Sequence, residues 1–396
     1  MVALTGFEGP EELEELAFQK IKEGKIKDGL KLILRAAKKY EEIGKREDAA
    51  RLYKYLGFVL IERTGSPEKA RPSLLKSAYF YIDLIEEEID RPEVDVNRLD
   101  DFCFSVLEIF LAVNDVKNLK KYAEEFAAIY EDLGSAYEEG DDVTMAIRAY
   151  ESAYHYSVII DEKGRMRAMA EKLITLYGQV AEEKLQRGDI AGAAEEFYRL
   201  AWYIQAIFGY DIHFMEMMDT AAKNFEKASK VSYSQGDLDG TTTYLVRAEY
   251  SYLLAKNTNR AKLIGINTAR MLNQVIGTHR AKGNDESTAV KIIELAEALV
   301  GIGKIEEALR AYRAALETKS DIKLRVRFRL ALLKRYCSEK GSPELLREVH
   351  SIEYYMRKDN YVRALNLAEK AIEKRKELAE VLQGVYEAEG IYQETQ

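Results

Sequence analysis

Apolar and polar positions alternate with helical spacing along most of the chain. In the middle of the chain this pattern belongs to a longer sequence repeat. The three recurring lines are EEGDDVTMAIRAYESAY from residue 138, QRGDIAGAAEEFYRLAW from residue 186 and SQGDLDGTTTYLVRAEY from residue 234, which begin 48 residues apart. Each line contains a Gly-Asp pair, in which glycine can end one helix and aspartate can cap the next. We therefore expect Asp141, Asp189 and Asp237 to begin three helices.

Downstream of each glycine, a small residue is followed at four-residue intervals by two larger ones. These positions hold Ala146, Tyr150 and Tyr154 in the first line, Ala194, Tyr198 and Trp202 in the second, and Thr242, Val246 and Tyr250 in the third. Spacings of four place them on one helical face. A small residue near a turn lets two antiparallel helices approach closely, and the aromatic side chains fill the gap behind it. Each period therefore predicts one helical hairpin, with two helices of about 20 residues and about 30 Å each.

A hairpin of this kind cannot bury its apolar face alone, so stacking on neighbouring hairpins is expected. Between Pro92 and Pro343 there is no proline, as is typical of packed helices. The predicted fold is all-α: a right-handed α-solenoid of stacked antiparallel hairpins, with about 16 to 18 helices. We expect long hairpins over residues 1–283, shorter repeats over 284–375 and a C-terminal capping helix over 376–396, all within one continuous superhelix.

Weaker copies extend the pattern. One weaker copy, around Gly44, has Ala50, Gly57 and Phe58 at the matching offsets. Another, at Pro92, has DRPEV in place of the glycine but retains Phe102 and Ser105.

The segment LAEALVGIGKIEEALRAYRAAL, residues 295–316, resembles the tetratricopeptide repeat (TPR) family. It places Gly303, Ala308, Tyr312 and Ala315 at the family's turn-glycine, small, aromatic and small positions. The usual period of that family is shorter than 48, and the long hairpins are similar to its SNAP-like branch of helical adaptors. The resemblance implies a stacked-hairpin fold and binding of partner proteins. SNAP-type activity is not implied, since the end GVYEAEGIYQETQ lacks the leucine-ended tail of those adaptors.

Composition narrows the class of protein further. The opening residues carry acidic side chains and no apolar signal segment, and no run is long enough to span a membrane, so we expect a cytoplasmic protein without membrane insertion. Cys103 and Cys337 form no metal-binding spacing and are expected to be buried free thiols. Abundant Lys and Glu beside few Cys and His favour a thermophilic source.

The residues indicate no catalytic, cofactor or metal site. Four histidines are scattered; His213 and Glu216 have the spacing of metal ligands on a helix, but without further companions. A histidine on a helix surface is the better interpretation. Most tyrosines recur at packing positions, which favours inter-helix packing over stacking on nucleic-acid bases.

Charge is distributed unevenly, from 15 basic and 27 acidic side chains over residues 101–249 to 26 basic and 20 acidic over 250–396. KSDIKLRVRFRLALLKRYCSEK, residues 319–340, holds eight basic residues, and residues 250–284 hold no acidic one. If these helices are neighbours, they form a cationic groove suited to carboxylates or phosphates. The candidate partner-binding residues are Lys323, Arg325, Arg327, Arg329, Arg270 and Arg260.

Two hypotheses follow from this distribution. The first is a non-enzymatic adaptor that binds a peptide or helix of a partner protein, with acidic character, in the groove of the superhelix. The alternative is RNA binding through the basic C-terminal third. Against both stands the interpretation that these cations pair with Glu on adjacent helices and cover apolar surface.

Overall fold

A computed structural model of the chain describes residues 9–390, apart from the side chains of residues 379 and 380. These residues form eighteen α-helices and no strand, which confirms the predicted all-α class and helix number. The first nine are α1 (Pro10–Lys22), α2 (Ile26–Glu42), α3 (Arg46–Thr64), α4 (Pro67–Ile89), α5 (Val96–Ala112), α6 (Val116–Glu139), α7 (Val143–Ile160), α8 (Lys163–Gln186) and α9 (Ile190–Phe208). The others are α10 (Ile212–Ser234), α11 (Leu238–Leu254), α12 (Thr258–Ala281), α13 (Asp285–Gly301), α14 (Ile305–Thr318), α15 (Ile322–Lys340), α16 (Pro343–Arg357), α17 (Tyr361–Glu373) and α18 (Ala379–Ala388).

The chain divides into two compact units, residues 1–166 and 167–396. In unit 1, each helix from α1 to α7 packs against the next in sequence. In unit 2, α9 to α14 continue this hairpin packing, whereas α15 contacts α11, α13, α16 and α17. The right-handed superhelix and the boundaries at residues 283 and 375 stay predictions, and part of the expected capping segment, residues 391–396, lies outside the described residues.

The repeated Gly-Asp turns behave as expected in two of the three copies. Gly188 and Gly236 both adopt φ of +79°, and the carboxylates of Asp189 and Asp237 accept hydrogen bonds from the third residue of the following helix at 2.8 and 2.9 Å. In the first copy, the prediction that Asp141 caps the helix is wrong. Asp141 itself takes the left-handed conformation, with φ of +59°, and Asp142 is the cap. The extra aspartate shifts the turn by one residue, because Asp tolerates this conformation better than most residues do.

The predicted packing face is confirmed in all three copies, since the small residue and both larger ones are buried in each. The helices approach closely where the partner helix offers glycine. A Cβ atom on Gly134 of α6 would lie 2.5 Å from the Tyr150 ring of α7, so this aromatic side chain needs the space that glycine leaves.

The degenerate period at Pro92 uses a buried carboxylate in place of the glycine turn. Glu88, at the end of α4, is 1% exposed and forms ion pairs with Arg91 at 2.9 Å and Arg98 at 3.4 Å. Its Oε1 also accepts a hydrogen bond from the backbone N–H of Asp95 at 3.1 Å, and Asp95 caps α5. The polar contacts of Glu88 therefore hold the α4–α5 connection together.

The two cysteines are buried and free, as expected. Burial raises the pKa of Cys337 to about 12 and that of Cys103 above its usual value, so both are thiols at neutral pH.

A second buried carboxyl group, in α11, is left without polar partners. Glu249 is fully buried, and neither of its oxygens receives a hydrogen bond from the described residues. It lies against two glycines: a Cβ atom on Gly265 or Gly301 would come within 2.3 or 1.9 Å of Glu249 Oε1. Burial raises the pKa of Glu249 well above its usual value, an effect that Arg335 opposes and Glu297 increases. Burial therefore favours the protonated, neutral form of Glu249 in this cradle of glycines.

The cradle predicts opposite effects for two glycine substitutions on α12. Gly265→Ala should destabilise unit 2 by about 1–3 kcal/mol, because the new methyl group overlaps the buried Glu249 side chain and the partly buried Ile302 side chain. Gly277→Ala is the matched control, because nothing lies within 4 Å of its added Cβ. It should stabilise the protein by about 0.5–1 kcal/mol through helix propensity. Urea unfolding followed by the fluorescence of Trp202, the single tryptophan, measures both variants; equal effects would refute the steric argument.

The neutral acid also predicts a pH dependence of stability. A group whose pKa is raised on folding stabilises the folded state fully below its unfolded pKa, about 4.3 for Glu, and this contribution is lost as the pH rises through the folded pKa. Glu249→Gln cannot ionise, so it should lose less stability than the wild type as the pH rises above about 4.3. Unfolding free energies of both proteins across this range provide the test, and parallel curves would show that Glu249 ionises freely in the folded state.

Candidate functional site

The basic stretch of residues 319–340 forms α15, a helix rather than a strand, and much of it lies inside unit 2. Arg327 donates from Nε and Nη2 to the two carboxylate oxygens of Glu297 at 2.7 and 2.6 Å. Arg329 is fully buried, with its guanidinium group 2.5 Å from Glu389 and 3.1 Å from Glu369. The structure therefore places these two predicted residues in internal ion pairs.

Both guanidinium groups are charged. Burial by itself lowers the pKa of Arg327 and of Arg329, but Glu297 and Glu389 outweigh this effect, so each pKa lies above its usual value. Removing either partner would leave an unpaired charge in a poorly solvated site.

The start of α15 is the part of the basic stretch that reaches the surface. Lys323 is exposed, with Nζ 4.0 Å from Asp359 Oδ1 and 4.7 Å from the centroid of the Tyr361 ring. Arg325 is partly exposed. The predicted residues 323, 325, 327 and 329 therefore divide between the surface and the interior.

The remaining two predicted residues lie on α12. Arg260 forms an ion pair with Glu226 of α10, which links the two helices. Arg270 is exposed, and among residues 9–390 no carboxylate lies within ion-pair distance of it. It shares a helical face with Leu263 and Ile266, which are 51% and 41% exposed.

Together α10 and α12 carry a basic outer face. We define it by the exposed cations Lys223, Lys227 and Lys230 of α10 and Lys262, Arg270 and Arg280 of α12, with the exposed apolar residues Val231, Leu263 and Ile266. All residues of these two helices are described, and Glu216 is the only carboxylate among them in the exposed class. The lysines of α10 were not predicted as a site, although their spacing in KNFEKASKV, residues 223–231, places them on one helical face.

Unit 2 also contains a pocket of about 400 Å³, which we call the inner pocket. Five basic and four acidic side chains line it, with aromatic and aliphatic groups between them. The lining includes Glu195, Tyr198, Arg199, Phe225, Val246, Arg247, Tyr250, Glu297, Arg327, Lys334, Glu353 and Met356.

Three ion pairs that include pocket-lining residues share one feature. In each pair the basic side chain is more exposed than its carboxylate: 46% against 25% for Arg247 and Glu195, 32% against 7% for Arg199 and Glu196, and 26% against 10% for Arg327 and Glu297. The guanidinium groups of these pairs are therefore the more accessible members.

Glu353, which also lines the pocket, has one carboxylate oxygen without a hydrogen-bond partner among the described residues. Its Oε1 lies 2.6 Å from Lys334 Nζ and accepts a hydrogen bond from the Tyr198 hydroxyl at 2.7 Å. Its Oε2 is buried and receives no hydrogen bond from the described residues. Burial raises the pKa of Glu353, but Lys334 and Tyr198 lower it by more, so the net shift is downward and the carboxylate is ionised.

Helix α16 packs against α9 at one side of the inner pocket. The His350 ring stacks on Trp202, with centroids 5.6 Å apart, and meets Tyr203 edge-on at 4.9 Å. Gln205 donates to the backbone carbonyl of Pro343 at 3.4 Å. The surface of α9, α11 and α13 that could have formed an open groove is therefore covered in part by α15 and α16.

The structure shows no group of three or more His, Cys, Asp or Glu residues arranged to hold a metal ion within residues 9–390. His213 Nδ1 lies 2.8 Å from the capping carboxylate of Asp211. Among the described helices, none combines the length and the apolar character needed to cross a membrane.

Comparison with known proteins gives neither a family model nor a curated protein that matches this chain. Solved structures align over almost its full length. A circular tandem repeat protein with a novel repeat topology shows 15% identity, covers 96% of both chains and has a TM-score of 0.29. The P58(IPK) TPR domain shows 15% identity, coverage of 96% of this chain and 98% of the other, and a TM-score of 0.17. Yeast Tom70 shows 13% identity, coverage of 96% and 95%, and a TM-score of 0.18.

The hairpins themselves define the class of protein. The chain is an all-α helical-repeat protein with tetratricopeptide-like hairpins, in which glycine turns, small residues and aromatic residues occupy the positions that the sequence predicts. In the segment of residues 295–316, Gly303 takes φ of +85°, and Ala308, Tyr312 and Ala315 are buried, as the sequence predicts.

The burial of Arg329 predicts a large difference between two arginines that look alike in the sequence. Arg329→Met should destabilise unit 2 by about 3–5 kcal/mol, because it leaves Glu389 buried without its cation. Arg270→Met, on the exposed face of α12, should change stability by less than about 0.5 kcal/mol. Thermal and urea unfolding of the two variants measure this difference, and a mild effect of Arg329→Met would mean that its surroundings are solvated.

Proposed function

We propose that this protein is a non-enzymatic adaptor that binds an acidic, amphipathic segment of a partner protein on the basic outer face of α10 and α12. The observation that carries the proposal is the combination on α12 of exposed Leu263 and Ile266 with Lys262 and Arg270, in a stretch that has no acidic residue. Exposed apolar side chains supply contact area, and the surrounding cations select an acidic partner.

The partner segment that fits this face is an α-helix with an apolar stripe and flanking carboxylates. Leu263, Ile266 and Arg270 follow each other at intervals of three and four residues, so they form a straight stripe on α12. Val231 and Lys227 extend the same chemistry on α10, which the Arg260–Glu226 ion pair connects to α12. Helix-in-groove recognition uses apolar anchors at this spacing on the partner as well.

Two features favour a protein partner over RNA. Apolar side chains occupy the middle of the face, whereas a nucleic-acid surface directs cations and stacking aromatic groups at the ligand. Many cations of the C-terminal third are also engaged internally, including Arg327, Arg329 and Lys334. From the sequence we also expect a cytoplasmic location, a thermophilic source and a likeness to SNAP-type adaptors.

A defined pair of peptides tests the outer face. An 18-residue helical peptide with leucines on one face and glutamates beside them should bind the full-length protein, and the same peptide with lysine in place of glutamate should not. Leu263→Ser and Arg270→Glu should each weaken binding of the acidic peptide by about tenfold, through lost apolar burial and charge repulsion. Fluorescence anisotropy of labelled peptides gives the affinities.

Arg313→Glu, an exposed charge reversal on α14, is the matched control and should leave peptide binding unchanged. Equal binding of the two peptides would contradict the proposed charge selection. A mobility shift of mixed-sequence RNA at low salt that disappears with Arg270→Glu would assign the face to nucleic acid instead.

A further inference from the structure

The inner pocket is separate from the basic outer face in its residues and in its chemistry. We infer that it binds a small amphoteric organic molecule that carries an anionic group, a hydrogen-bond donor and an apolar body. The inference does not depend on the adaptor function, because none of the residues that define the outer face lines the pocket.

The size of the pocket favours a small molecule over a segment of folded protein. Its volume of about 400 Å³ lies in the range of sites for small ligands, about 300–1,000 Å³. A partner helix has a diameter of about 10 Å with side chains, so it would need α16 to leave α9. The stacking of His350 on Trp202 holds α16 in place.

The arginines at the pocket supply the site for an anion. Arg247, Arg199 and Arg327 are each more exposed than the carboxylate with which they pair. Arg247 contacts Glu195 through Nη1, and a guanidinium group has five N–H donors, so further donors are left for a ligand. A carboxylate or a phosphate can accept two of them at once.

Glu353 supplies the complementary acceptor. Its buried Oε2 lacks a hydrogen bond from the described residues, although the side chain is ionised and lines the pocket. An unpaired buried carboxylate oxygen is costly, and a rotation of the Glu353 carboxylate that turns this oxygen to the pocket would let a ligand ammonium or hydroxyl group satisfy it. A purely anionic ligand would leave this oxygen unpaired, and for this reason the ligand needs a donor as well.

The remaining lining is suited to an apolar body. Phe225, Val246, Tyr250 and Met356 line the pocket between the charged groups. The Tyr198 and Tyr250 rings lie 5.5 and 5.6 Å from Lys334 Nζ, so they already stabilise a cation beside Glu353. The polar groups thus orient a ligand whose aromatic or aliphatic part fills the space between them.

Three probes with the same apolar body test this inference: L-phenylalanine, 3-phenylpropanoate and 2-phenylethylamine, which carry both charges, the anion alone and the cation alone. Isothermal titration calorimetry on the full chain should show L-phenylalanine binding at least about tenfold more tightly than either of the others, because one charge-assisted contact is lost in each. Equal affinities for all three, or no binding of any, would overturn the inference.

Two variants assign the contacts. Arg247→Gln should remove the advantage of L-phenylalanine over 2-phenylethylamine, and Glu353→Gln should remove its advantage over 3-phenylpropanoate. Lys262→Gln, on α12 outside the pocket, is the control and should change no affinity. Arg247 is partly exposed, so its variant keeps the test decisive if the Glu353 variant fails to fold, as thermal unfolding would show. If both folded variants retain the wild-type ranking, the pocket is not the binding site.

Failure of this inference and failure of the adaptor proposal are distinguishable. The peptides report on the outer face, whereas the phenyl probes report on the inner pocket. Arg270→Glu should weaken the acidic peptide without affecting L-phenylalanine, and Arg247→Gln should do the reverse.

Discussion

The ion pairs that hold α15 inside unit 2 determine what the rest of that unit presents to a ligand. Arg327 and Arg329 bring two positive charges among packed helices, and this is tolerated because Glu297 and Glu389 meet them with hydrogen-bonded geometry. A buried charge without such a partner would be expelled or neutralised. The contacts of α15 with α11, α13, α16 and α17 therefore depend on this complementarity of charge as well as on apolar packing.

The same arrangement explains where charge reaches the surface. In the ion pairs around the inner pocket the carboxylates are less exposed than the cations, so the basic groups are the more accessible although the lining is nearly balanced in charge. On α12 the situation differs, because Arg270 lies on the outside of the hairpin and has no carboxylate neighbour among the described residues. Unit 2 thus has two chemically distinct regions, an amphoteric pocket and an exposed face of cations with apolar residues.

The candidate site was predictable only in part. Arg270 and Arg329 are both arginines in helices rich in basic residues, and nothing in their local sequence separates them. The helical period predicts which residues share a face, such as Leu263, Ile266 and Arg270. It does not predict whether that face is exposed to solvent. The partners of Arg329 lie 40 and 60 residues away along the chain, beyond the reach of any local pattern.

The amino-acid sequence by itself determined the helical hairpins. Glycine at the turns, aspartate at the caps and small-then-aromatic faces act through contacts within a few residues or between adjacent helices, so the recurring text was sufficient to predict them. Only the tertiary structure decided which cations are buried, that α16 covers part of α9, and that the pocket-lining Glu353 has one carboxylate oxygen without a hydrogen-bond partner among the described residues. These features result from packing between helices distant in the sequence, where burial and the proximity of opposite charges, rather than local conformational preference, set the energy.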